Sequence, residues 1–370
     1  MNDQVDDTPD CPRPQRTWQP QASAGWTEWM ADQQVSLAVT TYQVGKLLLL
    51  GLSGNQQLAI AERSFRRAMG VSTDGQSLWL ATAYQVWRME HQFDQRAKAA
   101  GYDRLFVPRV GTTTGDLDLH DIAIDADGQP VFVATLFNCL ATLSITDSFR
   151  ELWRPPFIDT LTAEDRCHLN GLAMVDGRPK YVTLCAATNV TRAWKSHRMF
   201  GGQLWDTESN EPLVTELSMP HSPRWHDGRL WLCNSGTGYL GYIDFAAERF
   251  EPVAFVPGYA RGLAFVGNYA VVGLSRPRRE NKFGGLALDD ELANRNMTSY
   301  TGLAVVDLTT GDIAHTLELE GSIAELYDVG ILHKVRRPTA LGLALDALRY
   351  NVWAECEGTR RHWRRTPKGK

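Results

Sequence analysis

A short turn motif recurs along the chain about every 50 residues, and this repeat constrains the fold more than any other feature. Turns of the Asp-Gly type lie at 74–75, 127–128, 176–177 and 227–228, and a Gly-Asn pair at 267–268 continues the series. The spacings are 53, 49, 51 and 40 residues. Each turn lies between two short apolar runs, which is the strongest short-range signal for a β-hairpin. The repeating unit is therefore built on a hairpin.

The runs that follow these turns resemble one another. They read LWLATA at 78–83, PVFVATL at 130–136, KYVTLC at 180–185, LWLCNS at 230–235 and YAVVGL at 269–274. Further strands follow in most units, and four strands in 40 to 50 residues are typical of a β-propeller blade. The period is too long for the strands of a β-sandwich, and a parallel α/β fold needs helices that this pattern lacks. The repeat therefore favours a propeller.

The two ends of the chain complement each other. Residues 35–42 have the pattern of a second strand with no first strand before it, whereas residues 323–332 have the pattern of an innermost strand without a full set of partners. Pairing these segments completes a sixth blade and removes an open sheet edge. We predict an all-β fold, a six-bladed β-propeller over residues 31–337 whose last blade is closed by N- and C-terminal strands. Residues 1–30 are expected to form a flexible leader, and residues 338–370 a C-terminal helix and basic tail.

Composition narrows the classes of function. The chain has 370 residues, 43% of them hydrophobic, and a formal net charge of -5. A chain of this size buries a sufficient core without disulfides, and its six scattered cysteines favour free thiols in a reducing compartment. No apolar run approaches the roughly 20 residues of a membrane span, and the N-terminus lacks the pattern of a signal peptide. We therefore expect a cytoplasmic protein without a membrane or nucleic-acid partner, and the oligomeric state stays open.

In a propeller, the starts of the innermost strands surround the mouth of a central channel. Counting back from each turn places His120, His168 and His221 there, from three consecutive blades. Imidazole suits Zn, Cu and Fe, and three protein ligands leave a position open for water or substrate. The sequence thus predicts a divalent metal at this mouth. Calcium is the alternative, because Asn170, Asp118 and Asp121 offer oxygen ligands nearby. Hydrogen bonding between blades is the non-functional interpretation of these histidines.

Charged and polar residues complete the predicted site. Glu325, from the opposite blade, is a candidate acid/base or fourth ligand. Arg67 and Arg261 are suited to binding a carboxylate or phosphate, or else form ion pairs with Glu325 or a channel aspartate. Long connections at 188–202 and 275–300 are candidates for a basic lid. The predicted substrate-binding residues, taken from these connections, the second-strand ends and the channel mouth, are Asn170, Tyr84, Asn234, Arg192 and Arg276.

Four segments resemble a bacterial family that is described as conserved hypothetical and carries a domain of unknown function. They are FRRAMGVS at 65–72, RCHLNGLAMVDGRPKYVT at 166–183, MPHSPRWHDGRLWLCNSGTG at 219–238 and YDVGILHKVRRP at 327–338. The resemblance spans about residues 30–340 and implies no activity. The architecture is more distantly similar to six-bladed propellers of the gluconolactonase and senescence-marker type, which hold a divalent metal through Glu and Asn/Asp. Only Glu325 and Asn170 match that pattern.

Two hypotheses follow. The first is a metal-dependent enzyme, an oxidoreductase or a hydrolase, that acts on a small anionic or peptide-like substrate at the channel mouth. The second is a non-catalytic binding module for a peptide, a glycan or a partner protein. The sequence contains no nucleophile elbow, phosphate loop or dinucleotide-binding motif that would favour another chemistry.

Overall fold

Six small sheets surround a central channel. The computed structural model describes residues 17–92, 95–276, 285–344 and 346–364. Each of the six sheets has four or five strands, and their innermost strands contact one another in a closed ring. The six-bladed propeller predicted from the sequence is confirmed. Around the ring, the innermost strands of blades 1 to 6 are Val329–His333, Val71–Thr73, Leu119–Ile124, Leu169–Val175, Pro220–His226 and Tyr259–Val266.

The outer strands follow in antiparallel order within each blade. In blades 1, 2 and 3 they are Val35–Thr41, Lys46–Leu52 and Leu58–Ser64; Ser77–Ala81, Gln85–His91 and Arg104–Thr113; and Pro130–Ala134, Cys139–Thr142 and Arg150–Trp153. In blades 4, 5 and 6 they are Arg178–Leu184, Gly202–Asp206 and Glu211–Leu217; Arg229–Asn234, Tyr239–Asp244 and Arg249–Phe255; and Tyr269–Ser275, Gly302–Asp307 and Ile313–Gly321.

The repeated turns connect the first and second strands, as predicted. At Asp176 and Gly177 the φ angles are 49° and 71°, and at Asp227 and Gly228 they are 47° and 71°. Two consecutive residues with positive φ define the hairpin turn whose twist matches that of the flanking strands, and Asp-Gly adopts it at low cost. In these two blades the turn chemistry therefore sets the pairing of the first and second strands.

Both faces of the inner strands are apolar because each sheet packs between two others. In the second strand of blade 3, Val131 and Val133 face the core shared with blade 4, whereas Phe132 and Ala134 face the core shared with blade 2. All four side chains are 0% to 2% exposed. Burial on both faces explains why this strand reads as a continuous apolar run.

Blade 1 contains both ends of the propeller. Val35 pairs with His333 and Val39 pairs with Val329, so the second strand of this blade joins antiparallel to a strand almost 300 residues later. The predicted closure by N- and C-terminal strands is present, and the ring has no open inner edge.

The structure differs from the prediction of a leader over residues 1–30. Trp18–Ala22 adds a fifth strand to blade 6, in which Trp18 pairs with Gly321. Trp26–Asp32 is a helix that buries Trp26, Trp29 and Met30 against the core. These apolar side chains lie at helical spacing and stabilise the segment, a signal that the polar composition around it obscured. Residues 1–16 of the predicted leader lie outside the described residues.

The C-terminal segment also differs from the predicted helix. Pro338–Ala340 pairs parallel to the outer strand of blade 2, and the helix covers only Asp346–Tyr350. A hairpin of Asn351–Cys356 and Thr359–Arg364 follows. It turns at Glu357 and Gly358, both with positive φ, and Glu-Gly is a weaker turn signal than Asp-Gly.

An ion cluster joins several blades across the ring. The Arg224 guanidinium lies 2.8 Å from Oδ2 of Asp121 and 3.5 Å from Oδ1 of Asp328, so it joins blades 5, 3 and 1. Asp121 also accepts the backbone N–H of Leu172, and Asp328 accepts that of Val71. The cluster therefore ties five blades together. Within the described ranges, no helix is long and apolar enough to cross a membrane.

Candidate functional site

A cavity of about 590 Å³ opens at the end of the channel where the innermost strands begin. Its volume lies within the range of small-molecule sites. It is lined by Tyr42, Asp118, His120, Asp165, His168, Arg192, Trp194, Lys195, Arg198, Met219, His221, Arg261 and Tyr327.

Five of the eleven predicted catalytic, metal-binding and substrate-binding residues line this cavity. They are His120, His168, His221, Arg192 and Arg261.

The other six predicted site residues do not line the cavity. Asn170 and Asn234 are buried in hydrogen bonds with the protein, and Glu325 is 2% exposed. Arg67 binds Asp116 and lies 4.0 Å from Asp118, beside the cavity. Tyr84 and Arg276 are exposed and outside the lining.

The three histidines do not share one register. His120 and His221 are each the second residue of an innermost strand, and in blade 4 that position is held by Asn170. His168 lies two residues earlier, immediately before its strand, with a φ of 52°. Because His168 lies outside the strand and is left-handed, the alternation of strand side chains does not set its direction. The predicted convergence is therefore two histidines at equivalent strand positions and a third that precedes its strand.

His221 is fully hydrogen-bonded within the protein. Its Nδ1 lies 2.9 Å from the carbonyl oxygen of Met219 and therefore carries the proton, because a carbonyl only accepts. Its Nε2 accepts from the Asn170 amide at 3.4 Å, and that amide is oriented by the Thr183 hydroxyl at 2.8 Å. Burial, reinforced by Arg261, holds the pKa of His221 well below its usual value. His221 is thus a neutral side chain without an unoccupied lone pair.

His120 has one of the two hydrogen bonds seen at His221, the bond from Nδ1 to the carbonyl oxygen two residues earlier. Its Nδ1 donates to the carbonyl oxygen of Asp118 at 2.8 Å, which leaves Nε2 as the acceptor. Burial lowers the pKa of His120 to about 4, so the ring is neutral at physiological pH. Its ring lies edge-on to that of His168, with centroids 4.8 Å apart and planes at 82°.

The described residues do not fit a metal centre. No group of three or more His, Cys, Asp or Glu side chains in the described part of the chain is placed so that it could hold a metal ion. The lone pair of His221 that a metal would need is taken by Asn170. Asp121, an oxygen ligand considered with the calcium alternative, is bound by Arg224. Metal binding stays a prediction from the sequence, and this arrangement gives it no support.

His168 forms a different kind of constellation. Its Nδ1 lies 3.0 Å from Oδ1 of Asp165, three residues earlier, while the indole N–H of Trp194 donates to Oδ2 of the same carboxylate at 3.0 Å. The Trp194 ring stacks on the imidazole, with centroids 4.0 Å apart and planes at 22°. A carboxylate that accepts from Nδ1 fixes the tautomer with Nε2 as the proton acceptor. This is the usual orientation of a general base.

Arg261 lies across the cavity from this pair. Its guanidinium is 3.6 Å from Oε2 of Glu325 and contacts the rings of Tyr259 and Tyr327, 4.9 and 5.5 Å from their centroids. The ion-pair alternative that the sequence analysis gave for both arginines therefore describes the structure. Although it is paired, Arg261 still lines the cavity, where it presents positive charge to a ligand.

The connection between the second and third strands of blade 4 carries the remaining cations. Arg192, Lys195 and Arg198 flank or belong to the short 3-10 helix Ala193–His197, and all three line the cavity. This loop is the first of the two connections predicted to form a basic lid, and its role as a lid stays a prediction. Of the second predicted connection, residues 277–284 lie outside the described residues, and the helix Ala287–Asn294 packs Leu288 against the Trp194 side of the site.

The cavity is electropositive. Four cationic side chains and two carboxylates line it, and His120 and His221 are neutral. One carboxylate, Asp165, is engaged by Trp194 and His168. The arrangement can hold an anion and, through Nε2 of His168, accept or return a proton.

Sequence reasoning did not identify Asp165, Met219 and Tyr327 as lining residues. The spacing of Asp165 and His168, with left-handed φ angles of 48° and 52°, brings their side chains together. An Asp three residues before a channel histidine is the signal that could have indicated the pair. Tyr327 stacks with Tyr42 and contacts His120 at the wall that closes blade 1.

A family model described as a domain of unknown function, DUF4915, matches residues 24–341. The chain belongs to the DUF4915 family. The resemblance noted from the four sequence segments is thereby confirmed. The DUF4915 match includes the four main strands of all six blades and the helix Trp26–Asp32, but not the added strand Trp18–Ala22. No curated protein matches the chain significantly.

Solved structures similar to this DUF4915 chain share little sequence with it. A nidogen–laminin complex is 12% identical, with a TM-score of 0.52, over 81% of this chain and 99% of that one. A protein of unknown function from Bacteroides caccae is 10% identical, with a TM-score of 0.48, over 82% and 99%. A catalytically inactive virginiamycin B lyase from Staphylococcus aureus, with quinupristin, is 11% identical, with a TM-score of 0.41, over 82% and 99%. These similarities concern the fold alone.

Proposed function

We propose that the channel mouth is an active site at which His168 transfers a proton to or from a small anionic substrate. The observation that carries the proposal is the Asp165–His168 pair, covered by Trp194, in a cavity with four cationic side chains. The fold is compatible with several functions, so only the side chains of the site support this one.

The roles of the residues follow from their contacts. Arg261 and the cations of the blade 4 loop hold a carboxylate or phosphate of the substrate. Asp165 keeps the proton of His168 on Nδ1 and stabilises the imidazolium once Nε2 has taken a proton. Neutral His120 offers Nε2 as a hydrogen-bond acceptor beside His168. The reaction class that fits is removal of a proton from carbon beside a carbonyl, followed by its return or by elimination.

Proton exchange tests this proposal. Small 2-oxo and 3-oxo carboxylates would be incubated with the protein in D2O, and exchange at the carbon beside the carbonyl would be followed by proton NMR. We expect exchange with the wild type and a loss of at least about a hundredfold in His168→Gln. The matched control is His226→Gln, because His226 lies at the opposite end of the channel, stacked on Phe265. Equal rates in both variants would rule out His168 as the base.

The binding module is the second candidate, and the complete hydrogen bonding of His221 favours it, since that imidazole holds neighbouring blades together. Anion binding without exchange in the wild type would support this candidate over catalysis. The expectations of a cytoplasmic location and of no nucleic-acid or membrane partner remain predictions of the sequence.

A further inference from the structure

The loop that covers His168 exposes large apolar side chains beside its cations. Val190 is 65% exposed, Met199 is 43% exposed and Phe200 is 70% exposed. Soluble proteins bear isolated apolar side chains on their surfaces, but three on one loop beside a cavity mark a contact surface.

These side chains lie next to the cavity-lining cations in sequence, on both sides of the short helix. Val190 precedes the cavity-lining Arg192 by two residues, and Met199 directly follows the cavity-lining Arg198. The loop is held at both ends of its short helix, because the N–H of Ala193 bonds to the carbonyl of Val190 at 3.0 Å and that of Gly201 bonds to the carbonyl of His197 at 2.7 Å. In the middle of the loop, the indole N–H of Trp194 donates a hydrogen bond to the Asp165 carboxylate. The apolar positions are therefore fixed relative to the cations.

We propose that the ligand of this site is an amphipathic anion, an inference that rests on the proposed function. Its oxyanion head binds in the cavity near Arg261, and its hydrocarbon or aromatic part leaves the cavity across Val190, Met199 and Phe200. The apolar side chains flank the cavity-lining cations on both sides along one loop, which matches a ligand whose charge and apolar surface lie in one molecule. Each CH₂ group that becomes half-buried on this rim increases affinity about twofold.

A chain-length series tests the inference. The probes are butanoate, octanoate, octyl phosphate and the neutral octan-1-ol, measured by calorimetric titration below the micelle concentrations. We expect octanoate to bind the wild type at least about tenfold more tightly than butanoate, and octan-1-ol to bind at least about tenfold more weakly than octanoate. Octyl phosphate, compared with octanoate, identifies the preferred head group.

The decisive variant replaces the three apolar side chains by serine, Val190→Ser/Met199→Ser/Phe200→Ser. All three are exposed, so the fold is retained. We expect butanoate binding to be unchanged and the gain for octanoate to shrink to below about threefold. The control is Ile145→Ser/Phe245→Ser, which removes two exposed apolar side chains from connections between third and fourth strands, on the opposite face.

The possible failures are distinguishable. Equal affinity of the wild type for butanoate and octanoate, or a chain-length gain that survives in the triple variant, overturns the amphipathic ligand while anion binding stands. If butanoate binding is absent, or is unaffected by Arg261→Gln, the anion site itself is wrong and both proposals fail.

Discussion

His168 and Asp165 are joined by a 3.0 Å contact between Nδ1 and Oδ1, and both residues have left-handed backbone angles, with φ of 52° and 48°. Each such residue without the freedom of glycine costs about 1–2 kcal/mol. The surrounding hydrogen bonds offset that cost, since the Asp165 carboxylate also accepts from Trp194 and the Asp165 N–H bonds to the carbonyl of Leu136. The residues immediately before the innermost strands of blades 3 and 5 are also left-handed, so this conformation recurs at the strand entrances and is not specific to His168.

Asp165→Asn should separate the pair without unfolding the protein. The amide oxygen can accept from only one of the two donors, the Trp194 indole or His168 Nδ1, and the amide N–H group faces the other. We expect the free energy of unfolding to fall by about 1–3 kcal/mol. Proton exchange should fall about a hundredfold or more. Asp147→Asn, at an exposed turn, is the control, and equal rates in the two variants would contradict the assigned role.

His120 should make the protein less stable in acid. Burial lowers its pKa from about 6.5 to about 4. Between these pH values the unfolded chain takes up a proton that the folded protein does not, so stability is lost as the pH falls from about 6.5 to about 4. The expected loss from this residue is about 3 kcal/mol. Urea unfolding of wild type and His120→Gln across this range measures it.

The difference in free energy of unfolding between the wild type and His120→Gln should grow toward neutral pH, because only the wild type contains the His120 imidazole. His221 contributes in the same direction, so the variant retains part of the acid sensitivity. Parallel curves would show that His120 titrates alike in the folded and unfolded protein.

Arg224→Met should be strongly destabilising. It leaves the carboxylates of Asp121 and Asp328, both 4% exposed, without their shared cation. Removing one partner of a buried ion cluster costs about 3–5 kcal/mol. The matched control is Arg249→Met, because the Arg249 side chain is 69% exposed and pairs with Glu251 at the surface. Its cost should stay below about 1 kcal/mol in urea unfolding, and equal costs would contradict the central role of the cluster.

Trp26→Ala tests whether the segment before blade 1 belongs to the folded unit. Trp26 is 0% exposed and packs in the core that blades 1 and 6 share. Its truncation should lower the free energy of unfolding by about 3–5 kcal/mol. Trp363→Ala, at a position 47% exposed in the C-terminal hairpin, should cost less than about 1 kcal/mol. A negligible loss of unfolding free energy in Trp26→Ala would show that this segment is not part of the folded unit.

The sequence predicted the blades because they are built from local signals. Asp176-Gly177 and Asp227-Gly228 specify tight hairpins, and the apolar runs after them specify buried strands. The closing blade could also be predicted, because residues 35–42 have no first strand before them and residues 323–332 have no complete set of partners after them. The helix at Trp26–Asp32 was missed, since seven residues give a weak periodic signal within a polar segment.

The site was only partly predictable, because it depends on register and on backbone angles at the strand entrances. The sequence by itself determined the repeat, the blade closure and the presence of histidines at the channel mouth. Only the tertiary structure decided that His221 is satisfied by Asn170 and that His168 pairs with Asp165 under Trp194. A one-residue slip or a single left-handed residue redirects a side chain, and such differences leave no periodic trace in the sequence.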